Sequence, residues 1–217
     1  MGSKGAAVIP GGFWTLQRTA ALLGRRCGRR KGLPHLLFFT DPARTPHPEA
    51  VAERLPRGAA IVFRSFGASD AFNRGLRLKA IARRRGLKLI VGADDRLAAA
   101  LGADGVHLPE RLAFRARRLK AARPGWIVTT AAHGPATARR AAAWGADGVV
   151  ISAIFPSTSP SAGPPIGPLR LAAMARTVRA PVYALGGVNN ETARHLIGTG
   201  LAGLAAVEAL SPESPRI

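Results

Sequence analysis

The sequence predicts an α/β protein, a single-domain (β/α)8 TIM barrel. Three observations carry that prediction. Eight short apolar runs recur along the chain, near-continuous as strands buried on both faces must be. Between them lie segments with Ala, Leu and Arg at helical spacing. Glycine turns repeatedly join a helical segment to the next run, and Gly-Ala-Asp-Gly-Val occurs twice, at 102–106 and 145–149. The alternative is a doubly wound open sheet. Against it, no G-x-G-x-x-G follows a run and no G-x-x-x-x-G-K-[ST] occurs.

Taken in order, residues 1–32 form a basic N-terminal extension, partly helical, with seven basic residues (Lys4, Arg18, Arg25, Arg26, Arg29, Arg30, Lys31) and no acid. Phe13 to Cys27 reads as an amphipathic helix with Phe13, Leu16, Ala20 and Leu23 along one side. A membrane surface is one destination for such a helix; packing against the domain that follows is the reading preferred here. Residues 33–210 form the barrel. Its strands are expected at 36–39, 60–63, 87–91, 104–108, 126–129, 148–151, 181–185 and 204–207. Helices are expected at 70–85, 94–101, 110–122, 135–144, 168–178 and 190–198. About ten residues follow the eighth run. The last helix must therefore be short or missing, which leaves a gap for the N-terminal helix to cover. Residues 211–217 are a tail.

Composition narrows the function classes. Apolar residues are 47% and charged residues 20% of 217, which excludes general disorder. No apolar run is long enough to span a bilayer. A single cysteine, Cys27, excludes an intrachain disulfide framework and a Cys-based zinc site. No apolar stretch with a small-residue cleavage site marks secretion, so a cytoplasmic protein is expected. The balance of 32 Lys+Arg against 12 Asp+Glu gives +20, with 27 of the basic residues arginine. Nucleic-acid binding and recruitment of phosphorylated ligands are two readings of that charge. The basic residues are scattered through helices without interleaved aromatics. They are therefore read as solvated helix faces, and the expected partner is a small phosphate ligand rather than nucleic acid. A homo-oligomer is left open.

In a barrel, chemistry sits where strands enter the loops that follow them. Gly186-Gly187 after the seventh strand, with the amides of Val207 and Glu208 after the eighth, suits a phosphate; a simple tight turn is the alternative. The loop after the sixth strand holds Phe155, Ser157, Thr158 and Ser159 and reads as a mobile loop with hydroxyl donors. His133, after the fifth strand, is the candidate general acid or base; the alternative is a polar pocket wall. Arg64, after three apolar residues, is placed to bind an anion. Thr40, Asp41, Gly92 and Ala131 end other strands and join Phe155 as pocket walls. His107, within the fourth run, reads as a hydrogen-bonded structural histidine bordering the pocket.

Several of these segments occur together in one known family. Gly102-Ala103-Asp104-Gly105-Val106-His107-Leu108, Ala131-Ala132-His133, Gly145-Ala146-Asp147-Gly148-Val149, Ile154-Phe155-Pro156-Ser157-Thr158-Ser159 and Ala184-Leu185-Gly186-Gly187-Val188 stand in order. The set resembles the thiamine phosphate synthase and TenI superfamily from about Leu33 to Leu210. The resemblance implies a (β/α)8 barrel in thiamine (vitamin B1) biosynthesis. The synthases join a pyrimidine diphosphate to a thiazole phosphate and use magnesium. The TenI branch isomerises a thiazole carboxylate phosphate without metal. Carried across, the strand-two pattern Gln-x-Arg-x-Lys keeps only Arg64. The Asn-Asp pair becomes Gly92-Ala93, the second magnesium Asp becomes Leu112 and the Ser before the histidine becomes Ala131. The diphosphate Lys becomes Pro160 and the Ser after strand eight becomes Glu208. No cofactor is therefore expected, and Mg²⁺ only if Asp94 or Asp95 replaces the lost ligands. The resemblance implies a protein that acts on or binds a thiazole phosphate. A synthase, a TenI-like tautomerase and a non-catalytic binder are the forms it can take.

Overall fold

The computed structural model describes residues 11–27, 32–157, 159 and 163–210. Expectations for residues 1–10, 28–31 and 211–217 and for Thr158 and Pro160 lie outside the described residues.

Eight parallel strands close into a barrel in sequence order: β1 (Leu36–Phe39), β2 (Ala60–Phe63), β3 (Lys88–Gly92), β4 (Gly105–Leu108), β5 (Ile127–Ala132), β6 (Gly148–Ile151), β7 (Val182–Ala184) and β8 (Gly203–Ala206). β8 returns to β1, pairing Ala206 with Phe38. Alternate residues of each strand face opposite ways. Leu37, Phe39, Ala60, Val62, Ile90, Val150, Tyr183 and Ala205 fill the barrel interior. Leu36, Phe38, Ile61, Phe63, Leu89 and Val91 join the shell between strands and helices. Both faces are buried, which is why these strands read as unbroken apolar runs.

The helices are α1 (Gly11–Cys27), α2 (Pro48–Ala52), α3 (Ala71–Arg85), α4 (Asp95–Ala100), α5 (Ala116–Ala122), α6 (Pro135–Ala143) and α7 (Pro168–Thr177). A left-handed Gly86 ends α3, and the Asp94 carboxylate caps α4 by accepting from the Leu97 amide at 2.8 Å. Three expectations are corrected. α2 was not expected, since one turn is too short to show a period. The segment 110–122 opens as a 3-10 helix, Glu110–Arg115, before α5. Of 190–198 only a 3-10 turn, Ala193–Leu196, forms. The Asn189 side chain accepts from the Glu191 and Thr192 amides, and those bonds favour a turn over a helix start.

The repeated Gly-Ala-Asp-Gly-Val is structural. Asp104, entering β4, accepts from the Leu89 amide of β3 at 2.9 Å. Asp147, entering β6, accepts from the Val128 amide of β5 at 2.9 Å. Lys79 and Lys88 bind the first carboxylate and Lys120 the second. Each repeat thus ties a strand to its predecessor at the barrel end opposite the strand-end loops.

Among the described residues, β8 is followed by a three-residue 3-10 turn, Glu208–Leu210. The exposed seam is covered by α1. Leu16, Ala20 and Leu23 are buried in the outer core, and the Leu16 amide donates to Asn190 Oδ1 at 3.2 Å. Burial of each leucine contributes roughly 1.5–3 kcal/mol. No helix among the described residues is long and apolar enough to cross a membrane.

Candidate functional site

The described strand-end loops carry four groups of polar residues. The densest lies over β1, β2 and β8. Arg64 Nε donates to the Thr40 carbonyl at 2.7 Å, and its backbone amide donates to Thr40 Oγ1 at 2.9 Å. Arg64 Nη2 is 3.3 Å from Asp41 Oδ2, which Arg44 Nη2 also reaches at 3.0 Å. Asp41 Oδ1 accepts from the Ala43 and Arg44 amides. Partial burial opposes ionisation of Asp41, yet the hydrogen bonds and charge of Arg44, with the charge of Arg64, hold its pKa below the usual value. Arg44 Nε then lies 3.7 Å from Glu208 Oε1. The four side chains form one chain, Arg64–Asp41–Arg44–Glu208. Glu208 therefore leans toward Arg44.

Arg64 contacts two rings, Phe39 of the barrel interior and Phe66 of an exposed loop. Its guanidinium carbon sits 5.6 Å from the Phe39 ring centre and 5.2 Å from that of Phe66. His107 packs edge-on to Phe39 at 4.9 Å, and its Nδ1 bonds Thr129 Oγ1 at 3.0 Å. Burial, and secondarily the Arg64 charge, push the His107 pKa from 6.5 down to about 3. This ring is neutral and structural near pH 7. Ala131, two residues past Thr129 on β5, is half-buried.

At the end of β3, Gly92 makes room for Arg64: a Cβ there would meet Arg64 Cγ at 3.0 Å. Ala93 and Phe66 both take left-handed backbone, with φ of 63° and 49°, a strain that concentrates at functional loops. They line an open cavity of about 700 Å³ with Asp94, Asp95, Arg96, Arg115 and Arg118. The Asp94 carboxylate is used as the α4 cap, and Asp95 is paired with Arg115 at 2.9 Å. Three arginines line the cavity beside the two carboxylates, and one oxygen of each carboxylate is already engaged. No group of three potential metal ligands occurs among the described residues.

After β7, Gly186 and Gly187 have φ of 90° and 65°. A Cβ on Gly187 would collide with the Pro156 carbonyl and with Phe155, and one on Gly186 would meet Ala153 at 2.9 Å. The two glycines are thus required by close seating of the β6 loop, whatever else they bind. The Gly187 carbonyl accepts from Thr192 Oγ1 at 2.8 Å, which fixes the turn. Phe155 is half-buried, and the Ser159 amide donates to Ser157 Oγ at 3.3 Å.

His133 lies on the opposite side, after β5. Glu110 Oε2 contacts both its Nδ1, at 2.9 Å, and its backbone amide, at 2.8 Å. Burial opposes ionisation of Glu110, but the His133 bonds and the Thr137 side chain prevail and lower its pKa. The His133 side chain is 56% exposed. It lines a cavity of about 620 Å³ with Glu110, Arg111, Thr137, Arg140 and Trp144. Among the described residues, none from the loops after β6, β7 or β8 lines that cavity.

The structure thus joins Thr40, Asp41 and Arg64 directly, brings Glu208 to them through Arg44, and seats Phe155 against Gly187, while His133 keeps its own partner. Sequence reasoning missed Arg44. Its available signal was the Asp41–Arg44 spacing of three residues, which suits a turn; its contact with Glu208 depends on barrel closure.

Comparison with known proteins bears on these groups. Residues 36–210 match the family model described as thiamine monophosphate synthase. A thiamine-phosphate synthase of Alcanivorax borkumensis is 34% identical over 186 residues, 81% of this chain and 84% of that protein. One of Methylococcus capsulatus is 35% identical over 157 residues, 70% of each. Some matches cover less; one Geobacter sulfurreducens relative is matched over 63% of its length. Among solved structures, a thiamine phosphate pyrophosphorylase from Pyrococcus furiosus superposes with a TM-score of 0.70 at 27% identity, covering 84% of this chain and 89% of that one.

Proposed function

We propose, from the premise that this chain belongs to the thiamine monophosphate synthase family, that it serves thiamine biosynthesis by isomerising a thiazole phosphate through proton transfer. The observation that carries this reading is the His133–Glu110 pair. With Glu110 ionised, His133 Nδ1 carries the proton that faces it, so Nε2 is the nitrogen able to accept one from a ligand. In an isomerisation a proton leaves one ligand atom for Nε2 and a proton is delivered to another. No leaving group departs, so no diphosphate charge has to be neutralised.

The alternative, metal-assisted release of pyrophosphate, is poorly supported by the residues at the ends of β3 and β4. Asp94 caps a helix, Asp95 is paired, and Ala93 and Leu112 supply no side-chain oxygen. Each lost charge-stabilising contact costs on the order of 2–4 kcal/mol at the transition state. For the phosphate end of the ligand the reading uses the amides of Gly186, Gly187, Val207 and Glu208, with the hydroxyls of Ser157 and Ser159 as further donors. Thr40, Asp41, Arg64, Gly92, His107, Ala131 and Phe155 serve as walls.

The test is a pair of assays on the purified protein. Isomerisation of a thiazole carboxylate phosphate should proceed in EDTA. Pyrophosphate release from a pyrimidine diphosphate plus a thiazole phosphate should be negligible with Mg²⁺. Rapid Mg²⁺-dependent pyrophosphate release would overturn the reading in favour of a synthase. Saturable binding without turnover in either assay would overturn it in favour of a binding protein.

A further inference from the structure

We propose that Arg44 is the side-chain cation of the phosphate site and that Glu208 is its resident anion, displaced from it when phosphate binds. The inference rests on the phosphate reading above and adds to it a residue that no motif marks.

The two backbone amides assigned after β8 belong to Val207 and Glu208, so the Glu208 carboxylate issues from the site itself. A fixed anion there opposes a phosphate by like-charge repulsion. Arg44 answers this. Its Nη2 is anchored on Asp41 at 3.0 Å, while its Nε stands 3.7 Å from Glu208 Oε1, beyond a good hydrogen bond. One end of the guanidinium is therefore tightly held and the other loosely paired. Asp41 is itself shared with Arg64 and locked by two backbone amides, so the anchor stays in place when the loose contact is exchanged. The Glu208 side chain is 47% exposed, so water can solvate its carboxylate when the contact with Arg44 is exchanged. A phosphate offers the planar guanidinium a stronger partner than this long contact.

Orthophosphate titration followed by amide NMR and calorimetry tests the idea. In the wild type the Gly186 and Gly187 amide signals should shift. Arg44→Gln should weaken phosphate binding about tenfold or more, the loss expected for one charge-assisted hydrogen bond, and Arg44→Lys should recover part of it. Glu208→Gln should strengthen binding several-fold, because it removes the internal competitor. In the Arg44→Gln background the Glu208→Gln gain should shrink, which a merely structural role for Arg44 does not produce. If the glycine amides shift but neither substitution changes affinity, the Arg44 assignment is overturned and the phosphate site stands. If the amides do not shift at all, the phosphate reading fails and this inference fails with it. Glu208→Gln alters an exposed side chain, so it decides the matter even if Arg44→Gln fails to fold.

Discussion

The two sides of the barrel mouth handle charge differently. Over β1, β2 and β8, two arginines alternate with two carboxylates in an unbroken chain. Over β4 and β5, one carboxylate holds one imidazole, and Arg111 and Arg140 line the same cavity, where Glu110 is the single acid among the described lining residues. The first side is near local neutrality and holds its shape through mutual attraction. The second keeps an exposed titratable ring beside excess positive charge. A net charge of +20 therefore says little about either place. What matters is which cations already have partners.

Three outcomes break or sharpen this contrast. The largest effect is expected on the open side. His133→Asn preserves size and hydrogen bonding but cannot carry the proton; it should lower isomerase turnover by roughly 10²–10⁴-fold with ligand affinity within a few-fold. Glu110→Gln, which keeps the contact without the charge, should cost about tenfold. Equal turnover in wild type and His133→Asn removes this side from the chemistry.

The next concerns the closed side and acid. Unfolded, His107 takes up a proton near pH 6.5; folded, it refuses one until about pH 3. Its contribution to stability is whole above 6.5 and is lost as pH falls toward 3, by up to about 1.4 kcal/mol per pH unit. Urea unfolding from pH 7 to pH 4 should show this slope, and His107→Gln should flatten it. An unchanged slope in the variant would assign the acid sensitivity elsewhere.

The smallest effect lies between the two sides. Asp94→Ala should cost about 0.5–2 kcal/mol, the usual loss of a helix cap. Mg²⁺ should not stabilise the wild type in thermal melts. A Mg²⁺-dependent rise in melting temperature that disappears in Asp94→Ala would make Asp94 a metal ligand instead.

How much of this was legible in the sequence depends on the range of the interaction. All eight strands were visible, because burial on both faces leaves a local apolar signature such as Leu36-Leu37-Phe38-Phe39. The helix at 94–101 was visible from its spacing, but the capping role of Asp94 was not read there. The roles of Asp104 and Asp147 were hidden behind a repeated motif, since each acts on a backbone amide 15 or 19 residues away. Arg44 was hidden for a stronger reason. Its loop has no motif, and its partner Glu208 comes near only when the last strand closes on the first. His133 was visible as a residue type at a strand end, but its partner was not, because Glu110 and His133 are 23 residues apart.

The seam closed by α1 carries a consequence for synthesis. Leu16 and Asn190, which bond to each other, are separated by 174 residues. A chain made from its N-terminus has the apolar side of α1 long before the strand and turn it covers. Leu16, Ala20 and Leu23 stay unpaired, or are shielded by something else, until β8 emerges. Long-range closures of this kind are slow and leave sticky surface uncovered meanwhile. A helix translated ahead of the barrel strands thus docks only after the last of them, and the rate of that step limits how long the nascent barrel remains open to aggregation.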